Sequence, residues 1–230
     1  MQTTAPIWVP RFVGASNEEY MNEKYSSPYN ILYRGCCFDE KEIPERIQSF
    51  SMSLVHPDYN AWLHFYENDE KCKAYTEGLR PFVEHIKKFK GVVTLDRSIG
   101  WCDPLEIQQD ADNLNKFSRT QFANNGIPYI INVRFGDEKS YPFCFRDVPQ
   151  NSILFVGNHG TQRYADYKAV QFAGTCKIIE RLHPRILLVY GSIDERILEE
   201  CIKRRITLVR YPSQCELAHA RKKTYFLRHF

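Results

Sequence analysis

From position 61 onward the chain alternates short runs of apolar residues with longer stretches in which apolar residues recur every three or four positions. The first pattern reads as buried strand and the second as amphipathic helix. Ala61 to Tyr66 is an apolar and aromatic strand that runs into Glu67-Asn68-Asp69-Glu70, an acidic stretch suited to a helix start. Leu79, Phe82, Val83 and Ile86 mark a helix face within Cys72 to Phe89, where Pro81 predicts a break or a fresh start. Gly91 to Asp96 is a β-branched strand that ends in a carboxylate. Asp103-Pro104-Leu105-Glu106 then predicts an N-cap, a proline at the first helical position and an acid at the third. The helix it opens should run to about Asn124, with Ile107, Ala111, Leu114 and Phe122 on one side and Asn125-Gly126 as its stop.

The alternation then continues. Ile127 to Arg134 is a strand, as is Ser152 to Val156, and Ala165 to Leu182 is a helix with Phe172, Cys176 and Ile179 inward. Arg185 to Tyr190 is the next strand, and Ser192-Ile193-Asp194-Glu195 predicts a capping box opening a helix to Arg204. Ile206 to Val209 is the last strand, closed off by Pro212. The pattern predicts an α/β fold, a mostly parallel sheet with alternating helices, built as an open sheet or an incomplete barrel. An eight-fold barrel would need two more strands from upstream. Residues 1–50 lack sustained periodicity and read as an irregular N-terminal arm or cover, 51–215 as the α/β core, and 216–230 as a basic C-terminal tail.

Composition changes this picture little. Hydrophobic residues at 43% and charged residues at 26% of the 230-residue chain are ordinary for a globular protein. The aromatic share of 14% is high and fits a dense core better than a stacking surface. A net charge of +3 does not by itself indicate nucleic acid. Lys203-Arg204-Arg205 and Arg221-Lys222-Lys223 concentrate positive charge toward the C-terminus, as solvated helix ends do. The eight cysteines include no C-x-x-C pair and no zinc spacing, so reduced, mostly buried thiols are expected. With no signal peptide and no apolar run near membrane-spanning length, the chain reads as cytoplasmic, with no membrane partner.

Chemistry gathers where predicted strands end. Asn132-Val133-Arg134-Phe135-Gly136-Asp137 follows an apolar run and leads into Ser140-Tyr141-Pro142-Phe143-Cys144-Phe145. In a parallel sheet such strand ends converge on one edge, where open α/β sheets and barrels build their sites. Asp69, Asp96 with Ser98, Arg134 with Asp137, Asn158 with His159, and Ser192 would all meet there. Asp96, Asp137 and His159 are the candidates for proton chemistry or for a divalent metal. Arg134 is the candidate anion clamp, with Asn132, Ser98, Asn158 and Tyr141 as further ligand contacts. An Arg134–Asp137 salt bridge, a turn role for His159 and an N-cap role for Ser192 are the structural alternatives. Cys144, between two phenylalanines, reads as a packed thiol. Gly157 to Gly160 lacks the Gly-Lys-Ser/Thr of a P-loop.

The order of these motifs resembles a bacterial and phage family catalogued as domain of unknown function 4417. The matching pieces include Leu63-His64-Phe65-Tyr66 with Asp69, Phe89 to Val93, Asp96 with Ser98, Asp103-Pro104, Arg119, Asn132 to Asp137, Phe143-Cys144-Phe145, His159-Gly160 and Val189-Tyr190-Gly191. Where the family usually has Pro-Asp-Phe-Ser this chain has Leu95-Asp96-Arg97-Ser98, and Gly157-Asn158 replaces Ser-Thr. The resemblance implies a shared fold, shared site positions and a setting in phages and mobile elements. It implies no activity. The reading that follows is a carboxyl-edge site that binds, or also processes, a phosphate-bearing ligand such as a nucleotide or nucleic acid. The alternative is a non-enzymatic interaction protein, an inhibitor or accessory factor, that binds a host or element protein.

Overall fold

The computed structural model describes residues 7–8, 39–72, 79–158 and 165–219. One eight-stranded sheet organises them, in the order β1-β8-β7-β6-β5-β4-β3-β2. The strands are β1 (Ile7–Trp8), β2 (Ile47–Ser49), β3 (Trp62–His64), β4 (Gly91–Val93), β5 (Tyr129–Asn132), β6 (Ile153–Gly157), β7 (Ile186–Tyr190) and β8 (Thr207–Tyr211). From β2 to β8 every pairing is parallel, and only β1 runs antiparallel, along β8. Helices α1 (Phe50–Val55), α2 (Leu79–Ile86), α3 (Leu105–Asn124), α4 (Tyr141–Cys144), α5 (Ala165–Leu182) and α6 (Glu195–Lys203) fill the crossovers.

Because β2 to β8 lie in chain order, every crossover steps the same way, and right-handed crossovers then put all the helices on one face. Burial follows. Leu154, Val156, Leu187 and Val189 pack with Ile86, Phe122, Ile178 and Ile197 of the helices. The alternate residues Ile153, Phe155, Ile186, Leu188 and Tyr190 cluster with other strand residues and with Ile43 and Tyr66. A face without helices is buried by curling the sheet on itself, so the architecture is an open half-barrel. Its concave side is filled by rings: Tyr66 stacks on Tyr190 at 4.7 Å and Phe155 on Tyr211 at 5.5 Å. Much of the aromatic content is therefore core. The far edges of the curl are tied by side chains, as Tyr211 Oη donates to the Pro44 carbonyl at 2.6 Å and Gln214 Nε2 to Ser49 Oγ at 3.0 Å.

Several local expectations change. Ile47–Ser49 is a parallel strand within the stretch read as an arm, invisible as a pattern because it is three residues long and two of them are polar. The N-cap of α3 is Pro104, without a side-chain cap bond, so the expected N-cap at Asp103 and first helical position at Pro104 are each displaced by one residue. Asp194, not Ser192, caps α6, its carboxylate accepting from Arg196 N. Ile107 is 54% exposed, which rotates the inward face of α3 away from the apolar one expected. Gly126, at φ 65°, does terminate that helix.

Gly174 sits buried in the middle of α5, where a Cβ would overlap the Phe135 ring. Alanine there should gain roughly 1 kcal/mol of helix propensity and lose about 1–3 kcal/mol to overpacking. Gly174→Ala is therefore expected to lower the urea midpoint, and a raised midpoint would contradict the packing. Tyr211→Phe strips the Pro44 carbonyl of its donor and should cost about 1–2 kcal/mol, read as a lower midpoint at unchanged denaturant slope.

Candidate functional site

At the carboxyl edge the side chain of Asn132 joins three strand ends. Its Nδ2 donates to Asp96 Oδ1 at 2.7 Å and to the Leu95 carbonyl at 3.4 Å, while its Oδ1 accepts from Tyr66 Oη at 3.0 Å. Its backbone N–H donates to Thr94 Oγ1 at 2.8 Å. Both amide hydrogens and the carbonyl are thus spent, which makes Asn132 an internal brace. Arg134 Nε lies 3.2 Å from Asp96 Oδ1, with side chains 17% and 12% exposed, so the pair is largely shielded from solvent. Burial raises the Asp96 carboxyl above its usual range, while Arg134 and the Asn132 bond pull it back. The Tyr66 hydroxyl is pushed far up by burial and then by the Asp96 charge, so it serves as a donor. Asp69 extends the network, pairing with Arg97 at 3.1 Å and accepting from Ser98 N at 3.3 Å.

The other candidates are spread out. Asp137 Oδ1 accepts from Lys139 N and its carbonyl accepts from Ser140 Oγ, which in turn accepts from Gly136 N. That is a turn leading into α4, and the ion partner of Arg134 is Asp96. Tyr141 is buried and its ring stacks on Phe145 at 5.0 Å. Ser98 is exposed. Asn158 Nδ2 donates to the Ser192 carbonyl at 2.8 Å and ties the ends of β6 and β7. His159 lies outside the described residues. Among the described residues no three metal-ligating side chains cluster.

Beside the Asp96–Arg134 pair a small cleft opens between α3 and the ends of β4 and β5. Asp112, Asn115, Lys116 and Arg119 line its α3 wall, with Thr94, Asn132 and Arg134 opposite and Cys144 and Val148 as apolar lining. Its volume is about 280 Å³ including the open mouth. The wall exists because α3 turns a polar stripe inward: Gln108, Asp112, Asn115 and Ser118 are all buried, spaced three or four apart. Asn115 holds the Arg97 backbone by both its N–H and its carbonyl. Lys116 bridges Asp112 at 2.8 Å and the Phe143 carbonyl at 2.6 Å, and Arg119 reaches the Asp147 carbonyl at 3.1 Å. Burial raises the Asp112 carboxyl, with Lys116 opposing, and pushes the Cys144 thiol up to about 12, so Cys144 is a packed thiol rather than a nucleophile.

Sequence reasoning missed this wall. A helix with polar residues on its inward face carries no apolar signal, although the recurrence of Gln108, Asp112, Asn115 and Ser118 at helical spacing marks it once the inward face is known. Gly136 belongs to the same region, since a Cβ there would overlap Gln108 Oε1. A side chain at Gly136 would have to displace the end of Gln108.

A carboxyl whose pKa is raised on folding binds its proton more tightly in the native state, so its contribution to stability is greatest at low pH and declines as pH rises through the raised value. Asp96→Asn abolishes that dependence. The stability of the native protein minus that of the variant should therefore fall as pH rises above the ordinary carboxylate range of about 4, followed by urea unfolding. A difference that grows with pH would mean that the ion pair with Arg134 outweighs burial.

No solved structure matches the chain. Two curated proteins are similar to it. The Gene 1 protein of Mycobacterium phage L5 is 21% identical over 155 residues, covering 66% of this chain and 67% of that protein. The Gene 1 protein of Mycobacterium phage D29 is 20% identical over 156 residues, so the match spans 66% of this chain and 57% of the phage protein. The model of the family described as Domain of unknown function (DUF4417) matches residues 24–212, a span that contains the Asn132 brace, the Asp96–Arg134 pair and both walls of the cleft. The chain therefore belongs to the DUF4417 family, and the two curated proteins similar to it come from mycobacteriophages.

Proposed function

We propose that the carboxyl edge of this half-barrel binds a phosphate-bearing ligand, a nucleotide or nucleic acid, with Arg134 as the anion-gripping side chain. One observation carries the reading. Arg134 is held beside Asp96 at the mouth of the cleft, yet its Nε makes no hydrogen bond and no described residue takes its terminal nitrogens. A guanidinium that is oriented and largely desolvated but has donors to spare suits bidentate contact with a phosphate. Lys116 and Arg119 add positive charge in the same cleft.

Binding, rather than chemistry, is what the geometry favours. Asp96 is engaged by Arg134 and Asn132, and Asp137 serves its own turn. Processing of the ligand by Asp96, Asp137 and His159, with or without a divalent metal, remains the secondary proposal, and Ser98, Asn158 and Tyr141 act in this reading as supports. A nucleotide or nucleic-acid ligand accords with a cytoplasmic setting. No described helix is long and apolar enough to cross a membrane. The second reading, a protein that binds a host or element protein, draws on Leu54, Val55 and Tyr59, which lie 58%, 67% and 50% exposed around the end of α1.

The test is binding of a labelled oligonucleotide and of nucleotides to the native protein, to Arg134→Gln, and to Asp96→Asn/Arg134→Gln, which leaves no unpaired carboxylate. Both variants should keep the native circular dichroism and lose at least about tenfold in affinity, with the salt slope reduced by about one. Affinity unchanged by either variant, or binding flat from low to moderate salt, would overturn the reading.

A further inference from the structure

We infer that the amino edge of the sheet around the starts of β7 and β8, opposite the Arg134 end, is a docking surface for the phosphate backbone of a nucleic acid, held by Arg181, Arg185 and Arg205. Ile186 pairs with Thr207, so Arg185 lies across from Ile206, and Thr207 N donates to the Arg185 carbonyl at 3.1 Å. Strands so paired are about 4.8 Å apart, which brings Arg185 beside the turn Arg204-Arg205 that ends α6. Arg181 stands in the last turn of α5, just before β7. Carboxylates answer some of the cations here: Glu180 pairs with Lys177 at 2.9 Å, and Glu200 with Lys203 at 3.6 Å and with Arg204 at 3.1 Å. Arg181, Arg185 and Arg205 make no ion pair among the described residues. The Glu180 carboxyl is held below its usual range first by Lys177 and then by Arg204 and Arg181, so the ends of α5 and α6 lie within electrostatic reach of each other.

Cations at helix C-termini are ordinary, because they answer the helix dipole, and that accounts for Lys203 and Arg204. It does not account for Arg205. The end of α6 is closed by two backbone bonds, from Ile206 N to the Cys201 carbonyl at 2.8 Å and from Arg205 N to the Ile202 carbonyl at 3.1 Å. That closure puts one residue in the left-handed region, where glycine is favoured. Arg205 occupies it at φ 58°, and His183, the residue after α5, does the same at φ 45°. Both are exposed. Two neighbouring helix ends thus carry basic side chains where folding favours glycine, a strain retained for what the side chains contact. Arg185 adds an unexplained group, since its Nε is buried without a hydrogen-bond partner.

Charge and shape identify the occupant. The unpaired cations are all arginines, whose planar forks match phosphate oxygens in pairs. A nucleic-acid strand in a duplex offers one phosphate per about 3.4 Å of axis, close enough for arginines on adjacent strands to be engaged together. A membrane surface fits less well, because an interfacial helix needs an apolar face. Ile202, 44% exposed, is the one exposed large apolar residue of this patch among the described residues, and α6 turns Ile197 and Cys201 into the core. The surface is separate from Arg134 and does not depend on the carboxyl-edge reading.

The experiment measures binding of a short labelled duplex, and of one of its strands, to the native protein, Arg181→Gln/Arg205→Gly, Lys87→Gln/Lys88→Gln and Arg134→Gln over a range of salt. Arg181→Gln/Arg205→Gly should lose at least about tenfold in affinity, with the salt slope for the duplex reduced by about two. Arg205→Gly alone should weaken binding while keeping the thermal midpoint or raising it by up to about 2–4 °C, which separates lost contact from lost folding. A lowered midpoint would contradict the strain at Arg205. Lys87→Gln/Lys88→Gln removes as much charge from the end of α2 and should leave affinity within about twofold. Equal loss in the two double variants would overturn the surface in favour of net charge alone. Binding that Arg134→Gln weakens and Arg181→Gln/Arg205→Gly does not would overturn the surface and leave the carboxyl-edge reading standing. Binding changed by neither would overturn both. Phosphatidylserine vesicles and polyglutamate are the remaining arms, and capture of either in preference to the oligonucleotides would overturn the nucleic-acid assignment.

Discussion

The constraint on which the rest of the structure depends is that β2 to β8 lie in the sheet in the order in which they occur in the chain. Right-handed crossovers that always step the same way place every helix on one side. The other side must be covered without helices, and this chain covers it by curling, with Trp62, Tyr66, Phe155, Tyr190 and Tyr211 filling the hollow. Parallel strands buried on both faces need continuous apolar runs, which Ile153 to Val156 and Ile186 to Tyr190 supply.

The curl also makes the site. Strand ends that would fan apart in a flat sheet are drawn together, so Tyr66, Asp96 and Asn132 from three strands come within hydrogen-bond distance. Asn132 has the right inventory for that position, two donors and one acceptor, all used. With the brace in place Arg134 is oriented by Asp96 rather than left to solvent, and the polar stripe of α3 closes the cleft beside it. The buried polar groups here are mostly paired, as the cost of leaving them unpaired requires. Arg134 Nε, Gln108 Oε1 and Trp101 Nε1 are exceptions near the edge.

Much of this was legible in the chain. The apolar runs located β3 to β8, because most residues of these strands are apolar and buried whichever face they point to. Asn125-Gly126 stopped α3 as expected, since only a residue tolerant of positive φ fits there. The strand end Asn132 to Asp137 did mark the carboxyl-edge network. Individual pairings were not legible: Asp96 and Arg134 are 38 positions apart in sequence and meet only because β4 and β5 are neighbours. Nor was β2, whose Ile-Gln-Ser is buried by its place in the sheet rather than by its composition.

The sequence by itself determined the alternation of strand and helix, the parallel sheet and the edge at which polar groups collect, because burial pattern and turn chemistry are local and repeat at the period of each element. Only the tertiary structure decided that the sheet curls into a half-barrel, that α3 turns Gln108, Asp112, Asn115 and Ser118 inward, and that Arg134 answers to Asp96 instead of Asp137. Those outcomes depend on which surfaces remain to be buried once the strands are ordered, and on the distances between residues remote in sequence, which no local pattern encodes.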